Sequence, residues 1–218
     1  MTTEADQNYL KETYALEREH GRVTTSMLAD RFGVSSASVT GMLKKLAHRH
    51  WVSYEPYKGV TLTEEGRLIA LEVLRHHRLL ETYLVEALGV PWDRVHEEAE
   101  RLEHALSEYL EARIDELLGH PRFDPHGSPI PAPDGTVREL ATLRLSELAE
   151  GASAEIVEVS DRDPQLLARL DELGLGLHTR LSVIKVEPMD ELMTIDVGGQ
   201  SLVIGNNTAR RVFVKKPS

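Results

Sequence analysis

Residues 35–62, SSASVTGMLKKLAHRHWVSYEPYKGVTL, decide the fold. Ser35 offers a hydroxyl to cap a helix, and Val39, Met42, Leu43 and Leu46 then fall at helical spacing on one face. From Trp51 onward, apolar and polar positions alternate at either end of a Pro-Tyr-Lys-Gly turn, the pattern of a two-stranded hairpin. Working upstream, residues 7–19 read as a helix that Gly21 stops, and Thr24-Thr25 open a short helix through Met27, Leu28 and Phe32 to Gly33. Downstream, Glu64 and Glu65 favour a new helix start, which Leu68, Leu71, Leu74 and Leu79 continue as an apolar stripe. Three helices followed by a two-stranded wing describe a winged helix-turn-helix DNA-binding domain, predicted over residues 1–65.

Outward from that domain, residues 66–120 are predicted helical: 66–88, a break at Gly89-Val90-Pro91, then 92–106 continuing to 118. Leu79, Leu80, Tyr83, Leu84 and Leu88 are apolar over a wider arc than one small domain needs. A homodimer interface is the economical reading; a larger core shared with the first domain is the alternative. The segment 120–135, HPRFDPHGSPIPAPDG, has little periodicity and reads as loop, within a linker over 121–142. Residues 143–218 alternate in five short strands (154–159, 181–186, 192–197, 202–204 and 211–214) around a helix opened by Pro164, the pattern of a small barrel. The predicted class is therefore mainly α with small β parts.

The 218 residues carry a net charge of −11, which taken alone argues against nucleic acid. The acid is not evenly spread. Between Ser36 and Lys58, the cations Lys44, Lys45, Arg49 and Lys58 face Glu55 alone, so a basic contact surface survives locally. With no Cys, any metal must be held by imidazole, carboxylate, carbonyl or thioether groups. No apolar run approaches the roughly 18 residues of a membrane span, and MTTEADQNYL has no secretory pattern, so a cytoplasmic protein without membrane contact is expected.

The sharpest local signal is HEEAERLEH, residues 96–104. On a helix His96, Glu100 and His104 would line one face, with Glu103 beside His104, and His77 and Glu81 are likewise four apart upstream. A solvated acidic face carrying incidental histidines is the competing reading. No HExxH, activated nucleophile or Gly-rich phosphate loop is present, so an enzyme is not expected. Imidazole and carboxylate without thiolate could hold Mn²⁺, Fe²⁺, Ni²⁺ or Zn²⁺.

Taken together, these segments resemble the metal-dependent repressors of the diphtheria-toxin-repressor type. The likeness rests on NYLKETYALE (8–17), SSASVTGMLKKLAHRHWV (35–52), YKGVTLTEEGR (57–67), HHRLLE (76–81), VHEEAERLEHALSE (95–108) and GSPIP (127–131). The resemblance implies a winged helix-turn-helix, a helical dimerisation domain and a C-terminal SH3-like barrel. It also implies a homodimer that binds double-stranded operator DNA when metal is present and represses metal-uptake genes. Carried over by position, a primary metal site falls on Asn8, Glu100, Glu103 and His104. An ancillary site falls on His77, Glu81 and His96, completed by Glu158 and Asp161. A carboxylate at Glu100, where the iron-responsive branch has Cys, points to Mn²⁺ as activator, with Fe²⁺ second. Lys11 departs from the manganese branch, which has an acid there, and Asp6 is a candidate substitute ligand. Ser36, Ser38 and Thr40 on the early recognition helix are candidate DNA contacts, with Lys44, Lys45, Tyr57 and Lys58 on the phosphate backbone. A metal-buffering scaffold that has lost DNA binding is the alternative function, and Gly41 in the recognition helix is the feature in its favour.

Overall fold

Thr3 starts the first helix. Its hydroxyl accepts from the Asp6 N–H while the Asp6 carboxylate accepts from the Thr3 N–H, a reciprocal cap that begins α1 (Glu4–His20) ahead of its first apolar residue. The computed structural model describes residues 2–55 and 58–216, so Tyr57 lies outside the described residues. Thr24 caps α2 (Thr25–Phe32), which ends at Gly33 in the left-handed region, and Ser35 caps α3 (Ser36–His48) through the Ser38 N–H. The predicted face of α3 is the buried one: Val39, Leu43 and Leu46 are inaccessible and pack with Leu10, Leu28 and Val60.

The wing is β1 (Val52–Glu55) paired antiparallel with β2 (Gly59–Leu62), Val52 opposite Leu62. α4 (Glu64–Leu88) begins directly against it. A Cβ on Gly66 would stand 1.9 Å from the Trp51 carbonyl oxygen, so only glycine lets this helix start so close to β1.

Beyond α4 the helical region differs from expectation. It contains α5 (Val95–Leu102) and α6 (Glu108–Leu117), not one helix running to residue 118. The chain leaves α5 in a turn closed by the Ala105 N–H on the Leu102 carbonyl, and the Glu103 carbonyl accepts from His76 instead of from a following helical N–H. Ser107 then accepts the Leu110 N–H and caps α6. Glu103 and His104 therefore sit on the turn, off the helix that carries His96 and Glu100.

Two compact units result, one of residues 1–77, 102–111 and 131–137, the other of residues 78–101, 112–130 and 138–218. The first holds the winged helix-turn-helix, with Val137 packed onto its core. In the second, six strands form one antiparallel sheet in the order β3-β8-β4-β5-β6-β7. These are β3 (Leu143–Arg144), β4 (Ser153–Val159), β5 (Arg180–Glu187), β6 (Leu192–Val197), β7 (Gln200–Gly205) and β8 (Val212–Lys215). Asp163 caps α7 (Pro164–Glu172), and a short α8 (Asn206–Ala209) precedes β8. Bulges in β4 and β5 bend the sheet around Ile156, Leu167, Leu170, Leu181 and Ile195. This is the SH3-like part.

The segment read from sequence as featureless loop is ordered where it meets that sheet. Asp124 accepts the N–H groups of His126 and Ser128, Phe123 bridges to Pro129, and the His126 carbonyl accepts from Val159 at the end of β4. Gly127 has φ 88°, and a Cβ there would stand 2.0 Å from the Val157 oxygen, so the loop lies directly on the strand. Among the described residues no helix is long and apolar enough to cross a membrane.

Candidate metal centre

In the first unit the chemistry gathers around Glu103, which is buried. Lys11 Nζ on α1 donates to Glu103 Oε1 at 2.6 Å, and His77 Nδ1 on α4 donates to Oε2 at 2.6 Å. Burial alone would raise the Glu103 carboxyl, but the His77 hydrogen bond and the Lys11 charge hold it below its ordinary value. His104 gives its Nδ1 proton to the Gln7 amide oxygen at 2.8 Å, leaving Nε2 3.3 Å from Glu103 Oε1. A lone-pair nitrogen and a carboxylate oxygen repel at that distance unless a proton or a metal ion joins them. Asn8 lies half-buried on α1 beside Gln7. Asp6, the candidate substitute ligand, is engaged elsewhere: wholly buried, it takes Lys45 Nζ at 2.7 Å and Arg49 at 2.9 Å from the recognition helix.

The second unit holds another convergence. Glu81 on α4 with Asp124 and His126 on the ordered loop each offer a ligand atom, all within 4.8 Å of one another and all buried. His126 donates Nε2–H to the Trp92 carbonyl at 2.8 Å, which turns Nδ1 toward Glu81 Oε2 at 3.8 Å. His126 Nδ1 has no hydrogen-bond partner among the described residues although it is buried, whereas Asp124 Oδ2 faces the Arg78 guanidinium, with Nε at 3.4 Å. Such an orphan costs about 1–3 kcal/mol. Burial and the neighbouring Glu81 push Asp124 up to about 7; His126, which burial alone would lower, is raised to about 9 by Glu81 and Asp124. A divalent cation among these donors would take the place of the protons that Asp124 and His126 hold, and oxygen and imidazole donors without sulfur suit Mn²⁺ or Fe²⁺. The residues present fit such an ion.

Around this trio, His96 Nδ1 stands 3.2 Å from Glu81 Oε1 and 3.7 Å from Asp161 Oδ2, so three residues of the expected ancillary set do meet. Glu158 is held at the β4 bulge and accepts from Ser128 Oγ at 2.8 Å. Glu100 is exposed on α5, 3.8 Å from His96 Nε2. His77 serves Glu103. Asp124, His126 and Gln7 were not singled out by the sequence reading. The signal for the first two is FDPHG at 123–127, two ionisable residues among turn-formers, where helical spacing has no purchase.

On the DNA-binding side, Ser36, Ser38 and Lys44 are exposed on α3, and Thr40 returns its hydroxyl to the Ser36 carbonyl. Lys58 on the wing is exposed and its carbonyl is held by Arg22 at 2.7 Å.

Family profiles cover almost the whole chain: the iron dependent repressor N-terminal DNA binding domain matches residues 1–60, its metal binding and dimerisation domain residues 63–132, and the FeoA domain residues 143–216. The iron-dependent repressor IdeR of Mycobacterium leprae is 30% identical over 220 residues, spanning 95% of each chain. The chain belongs to the iron-dependent repressor family. The diphtheria toxin repressor of Corynebacterium glutamicum is 28% identical over 219 residues, spanning 95% of this chain and 94% of that one. A solved manganese-dependent transcriptional repressor in complex with manganese is 38% identical with a TM-score of 0.93, covering 97% of this chain and all of the other.

Proposed function

We propose that this member of the iron-dependent repressor family is a transcriptional repressor activated by a divalent metal, with Mn²⁺ the preferred ion and Fe²⁺ second, that binds operator DNA as a homodimer in the cytoplasm. The observation that carries the reading is the buried trio Glu81, Asp124 and His126, their ligand atoms all within 4.8 Å of one another, in a chain that opens with a winged helix-turn-helix. His96 and Asp161 extend that site in its own unit. In the other unit Glu103 and His104, with Asn8 and Gln7 adjacent on α1, form a second. The sequence also assigns Glu100, His77 and Glu158 to the metal chemistry.

A bound ion supplies a fixed positive charge that favours one arrangement of its donors over others. What the protein supplies is the linkage from donor to DNA. Gln7 and Lys11 present the metal-facing side of α1 to His104 and Glu103, while Asp6 on the same helix grips Lys45 and Arg49 of the recognition helix. Orienting α1 therefore orients α3. Ser36, Ser38 and Thr40 are then offered to base edges and Lys44, Lys45 and Lys58 to phosphate, with the two copies of α3 in a dimer about 34 Å apart.

The test combines metal-binding calorimetry with DNA selected from a random pool in Mn²⁺. The expected selection is a palindrome bound only with metal. Asp124→Asn and His126→Ala should each remove an ion from the titration and raise the Mn²⁺ concentration needed for DNA binding by more than tenfold. Glu100→Ala and His77→Ala belong in the same series. DNA binding indifferent to chelator would defeat the reading, and a metal-loaded dimer without sequence preference would favour a buffering role.

A further inference from the structure

Lys11 sits where a cation is wanted. Its side chain is 7% exposed and that of Glu103 1%, so the ion pair is sealed from water although its members lie 92 residues apart in the chain. A buried ammonium is tolerated only when its charge is matched, and Glu103 is the carboxylate that matches it. The other Glu103 oxygen is taken by His77, and His104 Nε2 faces, at 3.3 Å, the oxygen that Lys11 holds. The donors that a divalent ion would share here are thus already shared with an ammonium carried by the protein.

We propose that Lys11 is a tethered competitor for the divalent ion at Glu103 and His104, an internal cation that sets how much metal the protein needs before it responds. The inference rests on the reading of Glu103 and His104 as metal ligands. Two cations cannot occupy one carboxylate oxygen at contact distance without strong repulsion in so dry a place, so entry of the ion requires the ammonium to leave. Lysine can leave: its charge rides on four flexible methylenes. Arginine, rigid and forked, would not yield as readily. The departure is felt by DNA-binding parts because α1 also carries Asp6, which holds Lys45 and Arg49 of the recognition helix.

The experiment is Mn²⁺ titration of the full-length protein by calorimetry against a competing chelator, with thermal unfolding of the metal-free protein alongside. Lys11→Met keeps most of the apolar stem and removes the charge; Lys11→Gln keeps a hydrogen-bond donor and serves if the first variant does not fold. Each is expected to bind Mn²⁺ at this site at least tenfold more tightly than wild type, while the metal-free protein melts lower because Glu103 has lost its counter-charge. Unchanged or weaker affinity in a folded variant would overturn the competitor role and make Lys11 a structural bridge. His104→Ala separates the two layers of argument. Loss of one ion from its titration upholds the ligand reading and leaves the Lys11 result decisive, whereas an unaltered ion count overturns the ligand reading and the inference with it.

Discussion

Asp6 is wholly buried yet charged, because burial alone would raise its carboxyl and the hydrogen bonds from Lys45 and Thr3 hold it below 3.8. A carboxylate with a lowered folded value stabilises above its unfolded value and ceases to as pH falls through the folded one. Wild-type stability should therefore fall below about pH 4, and Asp6→Asn should flatten that fall, measured by urea unfolding between pH 3 and 6. At neutral pH the same variant should lose about 1–3 kcal/mol and weaken operator binding, with its metal stoichiometry unchanged. Equal pH dependence in the two proteins would remove Asp6 from this role. Lys44 and Lys45, adjacent and alike in sequence, differ for the same reason. Lys44 is exposed, whereas Lys45 is tied to Asp6. Lys44→Ala should lower the log–log salt slope of DNA binding by about one unit without loss of stability; Lys45→Ala should show a lower melting temperature as well.

At the scale of elements, what could be read in advance was what the chain encodes locally. Caps at Thr24 and Ser35, stops at Gly21 and Gly33, and the buried face of α3 are matters of a few adjacent residues, and each appears where its pattern places it. Glu103 and His104 lie on a turn and not on the helix expected to carry them because the end of α5 is decided from a distance, by His76 taking the Glu103 carbonyl while Ser107 starts a fresh helix. The Asp124 to Ser128 turn was legible as a turn but not as a site, since its meaning depends on β4 lying beneath it. Gly127→Ala tests that dependence. With a positive φ and no room over Val157, the variant should lose about 2–4 kcal/mol and bind the ion at Asp124 and His126 more weakly, read by thermal unfolding with and without Mn²⁺. Wild-type metal affinity in this variant would mean the loop can form its site away from the strand.

For the molecule as a whole, the apolar arc read as a dimer face is partly spent inside the chain: Leu79, Leu80 and Leu84 are buried, whereas Leu88 on α4 and Tyr109, Leu110 and Leu117 on α6 remain exposed, Leu117 by 69%. A symmetric dimer through these residues is expected in light scattering at micromolar concentration, and Leu117→Glu with Leu110→Glu should give monomers that bind operator DNA poorly. A wild-type monomer would take away the geometry on which two-fold DNA recognition depends. The chain has two tryptophans, and the fold assigns one to each end of the signal. Trp51 lies beside the wing, its indole N–H on Glu65 and the Arg49 guanidinium 5.0 Å from its ring, whereas Trp92 stacks 5.8 Å from the His126 imidazole. The protein thus carries its own pair of optical probes: with Trp51→Phe the remaining emission follows the filling of the His126 site, with Trp92→Phe it follows engagement of the wing, and the interval between the two signals in a stopped-flow trace is the time the message takes to travel.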